Sequence, residues 1–271
     1  MAKQSKQSKQ KKSSSINSSR VDEWLRLIGR QMLQGDYKGV VASSERVLKF
    51  LPQNSPQRVE VLAQLGTAHA ILQNYPQSYD AFTEALSLAP HDVDLWYNRG
   101  MASRFTLRIG RSLRDFERAI ELNTISELTK QFEKAVKESH KLVKMALKLR
   151  GPNFTLDQLI EQEDLFQRGL QLLEAGKWEE AAQAFQASIA MSDCLPQPWG
   201  NVGMCRMMQE RYDEAEAALK RALAIDPKYT IAKNNLAALP EIRRTGPPKI
   251  VGMNDPFKDS KIKQSITFIQ S

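Results

Sequence analysis

The sequence repeats itself, because five segments carry related residues at the same places in a 34-residue frame. The frames cover residues 21–54, 59–92, 93–126, 162–195 and 196–229. Small residues recur at frame positions 8, 20 and 27, namely Gly66, Gly100, Gly169, Gly203, Ala85, Ala119, Ala181, Ala215 and Ala222. Large residues recur at positions 4, 17 and 24, among them Trp96, Trp199, Tyr212, Phe82 and Phe185. A period of this length indicates that each repeat is one supersecondary unit.

The pattern inside each frame predicts two amphipathic helices. Apolar residues recur at the helical spacing of i, i+3, i+4 and i+7, so each helix has one apolar face. The small residues let two helices approach closely, and the large ones fill the spaces between them. Pro52, Pro90 and Pro227 end the second helix of their repeats, since a proline restricts the residue before it. One such pair cannot cover its own apolar face, so the repeats must stack into an all-α solenoid.

These residues resemble the tetratricopeptide repeat (TPR) family. That family has an aromatic residue at position 4, Leu-Gly at 7–8, an aromatic at 17, Ala at 20, Phe at 24, Ala at 27 and Pro at 32. The tripeptides Gly-Asp-Tyr at 35–37, Gly-Lys-Trp at 176–178 and Glu-Arg-Tyr at 210–212 look like its inter-helix turn. The resemblance implies a right-handed superhelix of helical hairpins that acts as a non-enzymatic scaffold or adaptor for protein–protein interaction.

The spacing of the frames predicts five segments along the chain. Three repeats occupy residues 21–126, and two repeats with a capping helix occupy 162–239. Between them, residues 127–161 form a helical connector whose long helix stops at Gly151-Pro152. This helix is expected to join and pack the two repeat blocks, and the alternative is that its Lys-rich face binds an acidic partner. We expect residues 1–20, rich in Lys, Gln and Ser, to form a disordered basic tail, and residues 240–271 to form an extended or disordered tail.

The net charge of +8 is concentrated outside the repeats. Residues 1–20 carry six basic and no acidic side chains, and residues 124–150 carry seven basic and three acidic ones. Within the repeats, one cluster of arginines stands out: Arg99, Arg104, Arg108, Arg111, Arg114 and Arg118. The alternative function is therefore a nucleic-acid-associated factor that uses the tail, the connector lysines and this cluster. Nucleic acid is possible as a partner but not favoured, because no recognition motif or array of stacking aromatics accompanies the charge.

The sequence carries no recognisable catalytic constellation, so we expect no enzymatic activity and no cofactor. No glycine-rich phosphate loop is present, and the three histidines lie far apart. Cys194 and Cys205 lack the spacing of a zinc site, so no metal is expected. Two cysteines cannot make a disulfide framework, and no apolar run approaches the length of a membrane span. We therefore expect a cytoplasmic protein without a membrane span.

The resemblance also implies where a partner binds, because first helices of successive repeats line a concave groove in this family. The groove positions of the third repeat include Tyr97, Asn98, Met101, Arg104 and Phe105. Those of the fifth repeat and the capping helix include Asn201, Met204, Met208 and Asn235. Asparagine amides both donate and accept, which suits an extended peptide backbone, and methionines suit adaptable apolar contact. The alternative is that the methionines belong partly to the core.

Arg108 and Arg111 lie near the turn of the third repeat and form a candidate basic patch. A guanidinium can hold a carboxylate or phosphate through two hydrogen bonds. The alternative is that these arginines pair with acidic residues of their own or a neighbouring repeat. The partner of the protein is therefore expected to be a protein or peptide, and self-association through the end of the solenoid or the central helix remains possible.

Overall fold

The computed structural model describes residues 18–247, and within that range the backbone forms twelve α-helices and no strand. The predicted all-α fold is thus confirmed for these residues. The helices are α1 (Ser18–Leu33), α2 (Tyr37–Leu48), α3 (Pro56–Ile71), α4 (Tyr75–Leu88), α5 (Val93–Phe105), α6 (Ile109–Leu122), α7 (Ser126–Arg150), α8 (Leu156–Glu174), α9 (Trp178–Met191), α10 (Pro196–Met208), α11 (Tyr212–Ile225) and α12 (Thr230–Thr245). They form two compact units, 18–102 (unit 1) and 103–247 (unit 2), divided within α5.

One turn geometry links the two helices of every frame in the described part of the chain. The residue at frame position 15 has a positive φ of 60° to 72° in each turn, and these residues are Gly35, Gln73, Leu107, Gly176 and Glu210. The next backbone N–H then bonds a carbonyl five residues earlier, for example Asp36 to Gln31 at 2.9 Å and Lys177 to Leu172 at 2.9 Å. This is the Schellman arrangement, which ends a helix with a left-handed residue. The shared geometry supports the five-frame alignment of the sequence.

The small residues of the repeat contact the large ones, as the sequence predicted. A Cβ atom on Gly66 would lie 2.8 Å from the ring of Phe82, and one on Gly169 would lie 2.5 Å from the ring of Phe185. Both rings are fully buried. In these two frames the first helix therefore approaches the second helix so closely that position 8 has room only for glycine.

Each unit has its own apolar core. In unit 1, one cluster joins α1, α2 and α3 through Ile28, Val40, Val47, Leu51, Val61 and Ala68. A second cluster centres on Leu62, Phe82, Ala85, Leu86 and Leu95. In unit 2, α8 to α11 share the cluster Leu173, Ala181, Ala182, Phe185, Val202, Cys205 and Ala218. The last cluster of unit 2 is Met207, Ala215, Leu219, Ala222, Ala232 and Leu239, which attaches α12 to α10 and α11.

The two ends of the helical region differ from the sequence prediction. Helix α1 begins at Ser18, inside the predicted 1–20 tail, and the guanidinium of Arg20 lies 5.3 Å from the ring centroid of Trp24. Helix α12 continues through Pro240 to Thr245, although we expected helix to end at 239. Tertiary contacts offset the cost of the internal proline, since Ile242 packs on the last core cluster and Arg243 pairs with Asp213 at 2.7 Å. The remaining residues of both predicted tails lie outside the described range.

The connector contains the long helix that the sequence predicted. Helix α7 is 25 residues long and ends at Arg150, and Gly151, whose φ is 111°, is its C-cap. Helix α8 then begins at Leu156, six residues before the fourth frame, because Thr155 and Gln158 form a capping box at its start. The grouping of the repeats into 21–126 and 162–239 stays a prediction. No helix among residues 18–247 is both long and apolar enough to cross a membrane.

Changing the left-handed residue of the last turn to glycine is expected to stabilise unit 2. Glu210 has a φ of 61°, a conformation in which a side chain costs about 1–2 kcal/mol. Because glycine also loses more chain entropy on folding, we expect Glu210→Gly to raise the free energy of unfolding by about 0.5–1 kcal/mol. Urea denaturation measures this change, and Glu210→Ala, which keeps the Cβ atom, is the control expected to give no gain. Equal effects of the two substitutions would rule out backbone strain as the cause.

Candidate binding surface

Two polar and two apolar side chains recur at helical spacing on one side of α10. Gln197, Asn201, Met204 and Met208 are separated by four, three and four residues and are all half-buried. The other side of α10 enters the core through Val202, Cys205 and Met207, all of which are buried. The core therefore fixes the orientation of α10 and leaves this row of four at the surface. Helix α10 has three methionines. Met207 is buried in the core and Met204 packs against it, as the alternative from the sequence allowed, while Met204 and Met208 keep some accessible surface.

Helix α12 packs against α10. The ring of Tyr229, just before α12, packs on Gly200, where an added Cβ atom would lie 2.7 Å away. Burial raises the pKa of Tyr229 to about 12, so its hydroxyl stays protonated at neutral pH. Asn234 is exposed and Asn235 is half-buried on the first turns of α12. We call the row on α10, together with Asn234 and Asn235, the α10–α12 face.

The amide groups of this face have hydrogen-bonding capacity that the described residues do not use. The side chains of Asn201, Asn234 and Asn235 make no hydrogen bond within residues 18–247. The side-chain oxygen of Gln197 is buried and also has no partner in that range. A primary amide can donate and accept at once, as a peptide backbone does. The arrangement can therefore bind an extended chain, with Met204 and Met208 as apolar contacts.

The residues predicted on α5 are less accessible than those on α10 and α12. Three of them are buried, with at most 9% of each residue exposed: Tyr97, Asn98 and Met101. Most of their surface is therefore inaccessible to a partner. Phe105 is half-buried. Arg104 contacts α7, where its guanidinium donates to the Ala135 carbonyl at 3.0 Å and the Ser139 hydroxyl at 2.9 Å. Within unit 2, Arg104 thus attaches the end of α5 to the connector helix.

The candidate basic patch lies against α8. Arg108 is buried and donates to the side-chain oxygen of Gln167 at 3.2 Å, while Arg111 pairs with Asp164. Arg114 pairs with Asp157 at 3.0 Å. Both acidic partners belong to α8, so the structure favours ion pairing over a free anion site for Arg111 and Arg114.

The same contact between α6 and α8 contains a buried carboxylate. Glu163 of α8 accepts hydrogen bonds from the backbone N–H groups of Ile109 at 2.8 Å and Gly110 at 3.0 Å. Burial raises the pKa of Glu163 to about 7, although these two N–H groups, that of Arg111 and the charge of Arg150 act in the opposite direction. Sequence reasoning missed Glu163, because nothing in its local sequence shows that α8 meets the start of α6.

Cys205 of α10 is a buried free thiol. Burial raises the pKa of the Cys205 thiol to about 12, so it remains protonated at neutral pH. No group of three or more His, Cys, Asp or Glu side chains within residues 18–247 is arranged to hold a metal ion.

The recurring pair of helices with one shared turn defines the class of the chain as a helical-hairpin repeat protein. Residues 166–230, which include α9, α10 and α11, match the family model described as tetratricopeptide repeat. Residues 166–230 are therefore a tetratricopeptide repeat segment, as the resemblance predicted.

Known proteins match parts of the chain. The peroxisomal targeting signal receptor of Yarrowia lipolytica is 34% identical over 82 residues, which are 30% of this chain and 14% of the receptor. The protein O-mannosyl-transferase TMTC1 of Mus musculus is 32% identical over 88 residues, 32% of this chain and 9% of that protein. The matches thus span a small part of both relatives. The crystal structure of MamA aligns over 79% of this chain and 96% of its own, at 17% identity and a TM-score of 0.37.

Proposed function

We propose that the protein is a non-enzymatic interaction scaffold whose α10–α12 face binds an extended peptide segment of a partner protein. The observation that carries this proposal is the set of surface amides, Asn201, Asn234 and Asn235, without hydrogen bonds in the described residues. Asn201 lies in one row on α10 with Met204 and Met208, which are half-buried, and Asn234 and Asn235 lie on α12, which packs against α10. Together they offer polar contacts for a backbone and apolar contacts for side chains.

The family and one relative are consistent with this role. A tetratricopeptide repeat segment is typical of proteins that bind other proteins, and residues 166–230 contain all of α10. A relative that matches 82 residues is a receptor for a peroxisomal targeting signal, so that protein recognises a protein segment. From this relative the proposal takes only the kind of ligand, a protein segment. The proposal also includes two expectations from the sequence, namely that the protein has no catalytic activity and that it acts as an adaptor.

A nucleic-acid-associated function receives less support. It relied partly on the arginine cluster, and Arg108, Arg111 and Arg114 contact side chains of α8. Arg118 pairs with Glu121 at 2.8 Å, and Arg99 lies 4.7 Å from the ring centroid of Trp96. A phosphate backbone would have to compete with these contacts.

A selected peptide tests the proposal. Peptides of twelve residues are selected from a displayed random library on the intact protein, and the strongest binder is measured by calorimetry. We expect Asn201→Ala combined with Asn235→Ala to weaken its binding at least ~10-fold, because each lost amide leaves a ligand backbone group unpaired. The control combines Asn54→Ala and Asn153→Ala, two exposed asparagines outside the face, and is expected to change affinity less than ~2-fold. Binding that survives the first pair of substitutions unchanged would contradict the proposal.

A further inference from the structure

Helix α7 carries a regular row of six lysines. Lys130, Lys134, Lys137, Lys141, Lys144 and Lys148 are separated by four, three, four, three and four residues. At 3.6 residues per turn this spacing places all six within a sector of about 80° on one face of the helix. At 1.5 Å per residue the row is about 27 Å long. We call these six residues the lysine ladder.

The charge of the ladder faces solvent. All six lysines are exposed, and none of them has a carboxylate within ion-pair distance in the described part of the chain. The arginines of α6 are different, because Arg111 and Arg114 pair with acids of α8. The ladder is thus a row of positive charges that residues 18–247 do not neutralise.

The opposite face of α7 fixes the ladder in place. Phe132, Ala135, Ser139 and Val143 are buried in unit 2. Arg104 adds hydrogen bonds to Ala135 and Ser139 and an ion pair to Glu138 at 3.2 Å. A rigid row of charges loses little conformational freedom of its backbone when it binds, which favours association.

The width of the ladder favours a narrow partner. A sector of about 80° on a helix 10–12 Å across is about 8 Å wide, close to the width of a single helix. Glu127, Glu133 and Glu138 lie beside it on the same helix at roughly 60–80° from its centre line. In the major groove of a duplex, which is about 12 Å wide, these acids would face the phosphates on both sides. The apolar face that a lipid-bound helix needs is buried inside unit 2.

A small apolar surface lies at the C-terminal end of the ladder. Met145 and Leu149 are 69% and 56% exposed and are one turn apart, next to Lys144 and Lys148. Apolar side chains with this exposure can contact a partner that the lysines attract.

We propose that the lysine ladder binds an acidic helical segment of a partner protein, whose Asp and Glu residues recur at three- and four-residue spacing. The segment lies along α7, its carboxylates meet the six ammonium groups, and an apolar residue at one end contacts Met145 and Leu149. This surface is separate in sequence from the α10–α12 face, so the protein would hold two different partner segments.

A designed peptide tests this proposal on the intact chain. The probe is a fluorescent alanine-rich helix of 25 residues with six glutamates on one face and one terminal leucine, measured by anisotropy at several salt concentrations. A scrambled peptide of equal composition has its glutamates around the whole helix. We expect the patterned peptide to bind at least ~10-fold more tightly than the scrambled one, with an affinity that falls as salt rises. Equal affinities would overturn the proposal.

Charge reversal locates the contact. The variant Lys137→Glu/Lys141→Glu/Lys144→Glu is expected to weaken binding of the patterned peptide at least ~10-fold, because attraction becomes repulsion along the middle of the ladder. The control Lys38→Glu/Lys49→Glu/Lys228→Glu makes the same change in net charge at exposed lysines elsewhere and is expected to reduce affinity less than ~3-fold. Circular dichroism checks that both variants are folded. Equal losses in the two variants would show a net-charge effect and overturn the proposal.

Two further probes separate the proposal from general binding of polyanions. They are a 20-base-pair duplex and vesicles containing 30% phosphatidylserine, measured at the same salt. We expect both to bind more weakly than the patterned peptide. One outcome would overturn the proposal: either probe binds as tightly as the patterned peptide, and its binding is lost in the variant Lys137→Glu/Lys141→Glu/Lys144→Glu. The ladder would then be a site for nucleic acid or lipid, and an acidic helix would be excluded as its specific partner.

Discussion

Replacing Phe185 with alanine is expected to lower the free energy of unfolding of unit 2 by about 3–5 kcal/mol. The ring is fully buried between α8 and α9, where it contacts Gly169 so closely that a Cβ atom there would lie 2.5 Å from it. Phe166 packs on the same ring, with centroids 5.5 Å apart. Removing the ring leaves a cavity that glycine, having no side chain, cannot fill.

Urea denaturation of the intact chain measures this loss. Phe185→Leu is expected to keep more of the stability, because it refills part of the cavity. Gln186→Ala, at the neighbouring exposed position, is the control and is expected to change the free energy of unfolding by no more than about 0.5 kcal/mol. A loss in Phe185→Ala no larger than in this control would mean that position 24 of the repeat does not support the hairpin.

The second large effect is a dependence of stability on pH through Glu163. Its pKa in the folded protein is about 7, against an ordinary value of 4.5, so the folded state holds a proton that the unfolded state releases. The contribution of Glu163 is therefore fully present below pH 4.5 and is lost as the pH rises to about 7. At 1.36 kcal/mol for each unit of pKa, this loss amounts to about 3 kcal/mol.

The variant Glu163→Gln isolates this contribution, because it removes the titrating group and keeps an oxygen that can accept from Gly110. Free energies of unfolding are measured at pH 4.5 and pH 8 for the wild type and the variant. We expect the free energy of unfolding of the variant, minus that of the wild type, to be about 3 kcal/mol larger at pH 8 than at pH 4.5. Glu161→Gln, two residues away and exposed, is the control expected to show no such change. A wild-type-to-variant difference that is constant across pH would contradict the raised pKa.

The hairpins could be predicted from sequence because they depend on local contacts. The glycine at frame position 8 and the aromatic residue at position 24 are 16 residues apart, and the pair Gly169 and Phe185 meets as the pattern requires. The turn was also predictable in position, although Gln73, Leu107 and Glu210 adopt there a conformation that glycine would favour. Sequence periodicity therefore fixes features within a hairpin.

The contact between α6 and α8 could not be predicted, because it joins residues 43–59 positions apart across an irregular connector. Thr155 and Gln158 did carry a signal, since the Thr-x-x-Gln spacing of a capping box marks a helix start before the fourth frame. The repeat frame obscured it. For the same reason the sequence predicted a groove role for Arg104 and a basic patch at Arg108 and Arg111, while their contacts with α7 and α8 depend on tertiary structure.

The early start of α8 sets a minimal folding length for this part of the chain. Its first turns contact the beginning of α6, with Ile160 and Glu163 close to Gly110, and its later turns pack on α9 through Gly169. An array of identical repeats can be shortened by whole repeats, since each one contacts only its neighbours. Here a cut at the start of the fourth frame would divide α8, which packs on both α6 and α9. Residues 103–247 are therefore expected to unfold as one cooperative block.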